Sequence, residues 1–507
     1  MGYEPEQLAE DAPPIVTPDD SGNGLGDTWV PLFRHGCSFG PDIYHSVMLN
    51  LIKNPNINST WLFRANILHD VQGADALSAL PGSAPEIPSF RGLELQRCMI
   101  RKLIPRNTMR DKPLDQTCLL YGGTGEDVQD EGIERTLVVY LPHVGSQSEM
   151  PFYHPVVRGI AFLHEWNAAE SVGSVSISYL FFDVGDRSVD KLVRTAWHLL
   201  KAIYKHGEGR VAGYKKRVHH DVLIPQARVQ DRYTALKNKY ARDLIKTWAE
   251  STDPEKHVFE DLSIAAFLIE LWADMYKDVP FPGFVDIGCG NGLLVYILNR
   301  EGYSGWGFDA QTRKSWASYS TKMGSGGETL QQLVLLPPPV SRARVEELSG
   351  SDDFEERLVH DGRFPKGTFI ISNHADELTP WTPILATISD CPFIMIPCCS
   401  HDLTGSRFRA PRPADRSKAD SSYASLVAWV AEITKDCGWE AEQEMLRIPS
   451  TRNTAIVGRK KTALEESAVP DINAIVQRYG GTAGYLENVI KLVSSKKGST
   501  AEHIIPS

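Results

Sequence analysis

A short apolar strand that runs straight into alternating glycines constrains this chain more than any other feature. Gly283-Phe-Val-Asp286 leads into Ile287-Gly288-Cys289-Gly290-Asn291-Gly292, and residues 293–298 open a helix that Gly302 closes. Three glycines in alternation let the backbone take torsions closed to other residues and approach a ligand closely. A helix starting directly behind such a turn offers free N–H groups and the positive end of its dipole. Strand–turn–helix units of this kind belong in a parallel sheet, and ligands of open α/β sheets sit at the carboxyl ends of the strands. Further strands are predicted over 305–309, 333–336, 368–372 and 393–396. A helix over 422–437 carries Leu426, Trp429, Val430, Ile433 and Cys437 on one stripe, with Gly438 as its stop and a closing hairpin over 439–448 and 454–457.

The dinucleotide fingerprint would need a glycine where Leu293 stands, and a phosphate-binding loop would need Gly-Lys-Ser/Thr, which is absent. Asp309 ends the next strand, 23 residues beyond Asp286, where one carboxylate can accept from two ribose hydroxyls. The turn, the strand-end acid and the strand–helix alternation together resemble the Asp-x-Gly-x-Gly-x-Gly site of class I methyltransferases. That resemblance implies S-adenosyl-L-methionine as cofactor, held by Asp286, Gly288, Cys289, Gly290, Asn291, Gly292 and Asp309. The fold class expected is α/β, a class I (Rossmann-like) methyltransferase seven-stranded sheet preceded by a smaller α+β N-terminal domain.

With 507 residues there is room for two domains. We expect a disordered tail over 1–27, an α+β and helical domain over 28–250 with its clearest strands at 136–141 and 175–182, the methyltransferase domain over 251–462, and a polar, partly helical tail over 463–507. Eight scattered cysteines without a Cys-x-x-Cys pair suit a reducing compartment and predict no metal site. The acidic N-terminus has no signal-peptide pattern, and the most apolar stretch, 264–273, is too short to span a bilayer, so a cytoplasmic protein without a membrane partner is expected.

A net charge of −11 gives no chain-wide attraction for nucleic acid, so any RNA surface must be local. Residues 201–246 are the first candidate, with twelve Lys or Arg against four Asp or Glu. Lys215, Lys216 and Arg217 would contact phosphates there; the competing reading is an ordinary solvated helix face. Two apolar stripes run through this region: Leu192, Ala196, Leu199 and Ala202, then Tyr233, Leu236, Tyr240, Leu244 and Trp248.

Several separated blocks carry a more specific resemblance. They are Asp253-Pro-Glu-Lys256 with Phe259-Glu-Asp261 and Ile264-Ala265, the strand and turn through Leu294, Asp309 with Arg313-Lys-Ser-Trp316, Asn373-His-Ala-Asp-Glu-Leu-Thr-Pro-Trp381, Pro397-Cys-Cys399 and Leu446-Arg-Ile-Pro-Ser-Thr451. Upstream stand Asn54-Pro-Asn56 and Phe152-Tyr-His-Pro155. Through these blocks, over about 29–460, the chain resembles the tRNA (uracil-O2′)-methyltransferases that modify the ribose of uridine 44 in serine tRNA. The chain departs from the resemblance in two places: Asp309-Ala-Gln-Thr-Arg-Lys314 is less arginine-rich than the run the family has after its ribose-binding acid, and the stretch between Thr321 and Lys366 looks longer than usual. The resemblance implies methyl transfer to a ribose 2′-hydroxyl, with tRNA, serine tRNA in particular, as partner.

Such a transfer needs the acceptor aligned and its proton removed. Asp376 and Glu377 are candidate bases, although adjacent acids before Pro380 also suit a helix cap. Lys314 could act on the hydroxyl electrostatically, and Asn373 could contact adenine or the methyl site. His374 reads as a hydrogen-bonded loop residue and Cys398-Cys399 as packing. The loop Arg407-Phe-Arg-Ala-Pro-Arg-Pro413 offers Arg407, Arg409 and Arg412 to tRNA and Phe408 for stacking, against the alternative of a plain surface loop. Two other functions stay open at this point: a methyltransferase with a different acceptor, and a catalytically silent tRNA-binding subunit. The second usually loses the strand-end acids, and Asp286 and Asp309 are both present. A helper protein and the oligomeric state are open as well.

Overall fold

Period-two alternation of apolar residues through the N-terminal half produces strands with one face set against helices. The computed structural model describes residues 3–9, 12–14, 28–73, 85–108, 110–124, 132–214, 220–324, 326–340, 359–413, 421–462 and 470–494. They form two units, 1–216 and 217–507. In the first, β1 (Glu6–Gln7), β2 (Val30–Cys37), β3 (Leu62–Gln72), β4 (Glu94–Pro105), β5 (Leu114–Thr124), β6 (Ile133–Pro142), β7 (Gly159–Asn167) and β8 (Val172–Leu180) make one antiparallel sheet in the order β1-β2-β8-β7-β6-β5-β4-β3. Helices α1 (Pro41–Lys53) and α2 (Asp190–Val211) bury Tyr44, Met48, Leu51, Leu192, Ala196 and Leu200 against Val138, Phe162 and Ile177 of its inner face. The buried stripe of α2 is Leu192, Ala196, Leu200 and Ile203, one residue out of phase with the expected one beyond Ala196.

The second unit is built on strands apolar on both faces, which a sheet covered on both sides requires. Strands β9 (Phe284–Ile287), β10 (Gly305–Asp309), β11 (Leu330–Gln332), β14 (Phe369–Asn373), β15 (Phe393–Ile396), β16 (Glu442–Met445) and β17 (Thr454–Gly458) follow the order β11-β10-β9-β14-β15-β17-β16. The pairs from β11 to β15 are parallel, and β17 runs antiparallel to both neighbours. On one face Phe284, Phe369, Ile371 and Ile394 pack against α3 (Gln226–Lys246), α4 (Pro254–Met275) and α5 (Leu293–Arg300). On the other, Val285, Ile287, Ile370 and Phe393 meet the helices Thr382–Ser389 and Ser422–Asp436.

Four expectations change. The third strand of the sheet is β11, while Val334–Leu335 (β12) pairs with Val359–His360 (β13) in a separate two-stranded sheet. The chain division falls at 216 rather than 250, because Leu236, Tyr240 and Leu244 of α3 pack into the second core and Arg228 and Arg232 of α3 both pair with Glu270 of α4. Residues beyond 462 are not merely a tail: Ile475, Val476, Tyr485 and Val489 are buried in the second core. At the other end, Glu6–Gln7 pairs with β2 and Tyr3 stacks on His35, whereas residues 15–27 lie outside the described part. Among the described residues no helix is long and apolar enough to cross a membrane.

Candidate active site

The glycine turn is shaped by what surrounds it. Gly288, Gly290 and Gly292 have φ of 72°, 52° and 77°. A Cβ on Gly292 would lie 2.4 Å from Leu330 Cδ1, and one on Gly288 would lie 3.0 Å from the Ala375 Cβ, so a side chain at either position would crowd its neighbour as well as strain the backbone. Gly290 N donates to Asp309 Oδ2 at 3.1 Å and Gln311 N donates to Asp309 Oδ1 at 3.0 Å. The carboxylate is thereby fixed at the end of β10 with lone pairs left over. Asn291 Oδ1 accepts Leu293 N at 2.8 Å at the start of α5. Trp316 Nε1 donates to Gly290 O at 2.9 Å and Ser315 Oγ to Asn291 O at 2.8 Å, so the Arg313–Trp316 block supports the turn from behind.

Opposite the turn, β14 ends at Asn373 and the chain bends through His374 (φ 52°) and Asp376 (φ 45°), both in the left-handed region that non-glycine residues rarely adopt. Strain of this kind persists only where the surroundings hold it. Here Trp381 is fully buried with its Nε1 donating to Leu403 O at 3.1 Å, and His374 Nε2 lies 3.0 Å from Glu260 Oε1 on α4. The Cys398 thiol donates to Asp376 Oδ1 at 3.0 Å. Two cavities result. One, of about 270 Å³, is walled by Asp309, Gln311, Asp376, Glu377 and Tyr485 among others. The second, of about 370 Å³, is walled by Glu260, Asp261, Asp286, Asn373 and Arg452 among others. Gly288, Gly290 and His374 line both.

The second cavity gathers three buried acids, Glu260, Asp261 and Asp286. Burial, then the neighbouring Glu260, pushes the Asp261 carboxyl up to about 8. Asp286 is held well above the ordinary carboxylate range by burial first, then by Asp261 and Asp309. Asp286 Oδ1 is buried and has no hydrogen-bond partner, and neither Asp261 nor Asp286 forms an ion pair among the described residues. Such a group is costly unless something meets it, and a cation is the natural complement.

A family model described as "TRM44-like, N-terminal bet v1-like domain" matches residues 6–217, and one described as "Predicted AdoMet-dependent methyltransferase" matches 223–329. A tRNA (uracil-O(2)-)-methyltransferase of Neurospora crassa is 66% identical over 501 residues, covering 97% of this chain and 98% of that protein. The chain belongs to the tRNA (uracil-O(2)-)-methyltransferase family. Proteins of the same name from Schizosaccharomyces pombe and Debaryomyces hansenii are 38% and 36% identical, over 93% and 92% of this chain and 94% and 95% of their own lengths. The family is S-adenosylmethionine-dependent, and the two family models meet where the two units do.

Of the site residues expected from sequence, Asp286, Gly288, Cys289, Gly290, Asn291, Asp309, Asn373, Asp376 and Glu377 all line one or both cavities. Gly292 lines neither and instead caps α5. Lys314 is exposed and lines neither, whereas its neighbour Arg313 lines the first. Arg407, Arg409 and Arg412 are exposed, but Phe408 packs on Trp429 with centroids 4.6 Å apart and is not free to stack. Cys398 is half-buried and Cys399 exposed, so the pair is not simply core packing. Lys215, Lys216 and Arg217 lie outside the described residues. Elsewhere in the basic segment Arg228, Arg232 and Lys239 are engaged with Glu270, Asp274 and Glu301, which favours the structural reading of that part of α3.

Sequence reasoning missed Glu260, Asp261, Arg452 and Tyr485. The blocks containing the first two were visible, and so was their signal, a pair of adjacent acids at the start of the apolar run of a helix. Asp253 begins that helix as its cap, accepting from Glu255 N and Lys256 N ahead of the apolar run.

Proposed function

We propose that this chain methylates the ribose 2′-hydroxyl of a uridine in tRNA, at uridine 44 of serine tRNA, in the cytoplasm. The observation that carries the reading is the pair of cavities sharing the glycine turn, one rimmed by Asp309 and the other by three buried carboxylates. The strand order also suits a class I methyltransferase sheet.

The residues fit S-adenosyl-L-methionine. Asp309 would accept from the ribose hydroxyls, the turn would approach the chain joining ribose and amino acid, and Asp286 with Glu260 and Asp261 would meet the ammonium group of the amino-acid end. Bound there, the sulfonium supplies an activated methyl group with a neutral thioether as leaving group. What remains for the protein is alignment and proton removal. Asp376 is the better base of the two acids, because it is exposed on the cavity wall, where its Oδ1 accepts from the Cys398 thiol. Glu377 is more buried, and burial raises its carboxyl. Asn373 would orient a group at the shared wall, and Lys314, Arg407, Arg409 and Arg412 would serve as exposed cations for tRNA phosphates. Lys215, Lys216 and Arg217 belong to the same proposal.

The carboxylate cluster makes cofactor binding pH-dependent. A cation beside Asp261 favours its ionised form, so binding below pH 8 must release the proton that the free protein holds. The dissociation constant for S-adenosylmethionine should rise by up to about tenfold per unit as pH falls from 8 toward 6, and Asp261→Asn should flatten the profile. A flat wild-type profile in calorimetry would show that these acids do not read the cofactor's charge. The sign reverses for the protein alone. The raised carboxyl contributes stability that is complete below the ordinary carboxylate value and lost as pH rises through about 8.

Serine tRNA transcripts with uridine or cytidine at position 44 test the substrate assignment. Methylation should require uridine there, and Asp376→Asn should cut the single-turnover rate by about a hundredfold while Glu377→Gln costs less. Equal methylation of both transcripts would move the target elsewhere.

A further inference from the structure

Large apolar side chains of the N-terminal unit are mostly buried, but Trp61 and Phe152 are 52% and 38% exposed. They come from distant parts of the chain, yet their rings meet edge to face with centroids 5.0 Å apart. The Arg110 guanidinium lies over the Phe152 ring at 5.2 Å, and that of Arg106 lies over Phe63 at 6.0 Å. Singly exposed apolar residues need no explanation, whereas a cationic, aromatic pair held in place does.

The exposure is built rather than loose. Trp61 O accepts Arg106 N at 2.9 Å, tying the end of β4 to the segment before β3. Next to Phe152, Tyr153 is buried with Leu62, Leu103 and Leu114, and its hydroxyl donates to Lys112 O at 2.6 Å. His154 is buried as well, its Nε2 2.8 Å from Gln116 Nε2, and Gln116 Oε1 accepts from the buried Arg101 guanidinium at 2.6 Å. Two anchored neighbours therefore hold Phe152 outward. The block Phe152-Tyr-His-Pro155, which the catalytic site leaves unexplained, does this work in the N-terminal unit.

We infer that Trp61 and Phe152, flanked by Arg106 and Arg110, form a platform on which unpaired bases of the tRNA stack. The inference rests on the tRNA reading proposed above. Unpaired RNA exposes π faces that aromatic side chains and guanidinium planes accept without regard to sequence, while nearby cations contact the phosphates. Arg106, Arg110 and Lys112 stand against Asp111, which pairs with the still exposed Arg110 at 3.5 Å, and leave this part of a chain of net charge −11 basic. That charge favours RNA over an apolar protein surface as the occupant.

Full-length protein and fluorescein-labelled serine tRNA test this by anisotropy across a salt series. A Trp61→Leu, Phe152→Leu variant should bind at least about tenfold more weakly, whereas Trp61→Phe, which keeps a π face, should stay near wild type. Arg106→Gln with Arg110→Gln should lower the slope of log affinity against log salt by about 1.4. An unchanged circular dichroism spectrum and thermal unfolding profile certify that the N-terminal unit, which carries the platform and none of the cofactor site, is folded in the variants. If the wild type binds and methylates tRNA while the leucine variant binds it equally well, the platform is wrong and the tRNA reading stands. If the wild type neither binds nor methylates tRNA, both fall. A self-association seen by light scattering and lost in the leucine variant, with tRNA affinity unchanged, would overturn the RNA assignment in favour of an interface between copies.

Discussion

Asp309→Ala should weaken S-adenosylmethionine binding by roughly a hundredfold or more and leave the fold standing. The carboxylate ends β10 and is held in place by the Gly290 and Gln311 amides, at 3.1 and 3.0 Å. It faces the smaller cavity, where two ribose hydroxyls would each donate to it. Hydrogen bonds to a charged group contribute about 1.5–3 kcal/mol each, and every 1.4 kcal/mol is a factor of ten in affinity. Removing the carboxylate also frees Gly290 N and loosens the turn, which adds to the loss. Asp309→Asn retains an acceptor for only one of the two amides and should fall between wild type and the alanine variant. Calorimetry on the three proteins decides the matter; wild-type affinity in Asp309→Ala would remove this residue from the cofactor site.

The largest stability effect is expected at Trp381, the last residue of the Asn373–Trp381 block. Its side chain is fully buried, its Nε1 donates to Leu403 O, and its ring meets Tyr485 with centroids 5.6 Å apart. Tyr485 in turn donates to Leu335 O at 2.9 Å and forms part of the first cavity's wall. Trp381→Ala removes a large core side chain and should destabilise the protein by about 3–5 kcal/mol. It should also lower cofactor affinity, because Tyr485 loses the ring it packs on. Trp381→Phe keeps most of the packing and loses the N–H bond, for a cost of about 1–2 kcal/mol. Denaturant unfolding and cofactor titration of both variants check this. An alanine variant as stable as wild type would mean that the block does not anchor the loop carrying His374 and Asp376.

The site was legible where its chemistry is local in sequence. Asp309 ends a strand, and the glycine turn and the segment ending in Trp381 each lie at the end of one, so position along the chain gives position in space. Relations across the sheet were not legible. Glu260 and Asp261 sit inside a helix whose pattern says only that it is buried; their meaning comes from Asp286, brought alongside by the fold. In α2, Leu199 and Leu200 are both apolar, and only the packed structure selects Leu200. Val334 and Leu335 read as a sheet strand because their propensity is right, but β11 takes the place beside β10. In the basic stretch composition does not show partners: Arg228 and Arg232 of α3 are paired with Glu270. The polar C-terminal stretch hid Tyr485 for a similar reason, since one buried ring there contributes more than the surrounding composition suggests.

The central claim is a reaction, and one assay addresses it directly. Purified protein, S-adenosylmethionine labelled in its methyl group, and tRNA from cells lacking this gene are incubated, and the RNA is digested to nucleosides. The account predicts label in 2′-O-methyluridine and in no other nucleoside. Label in a base-methylated nucleoside, or none in RNA from a protein that still binds the cofactor, would contradict it.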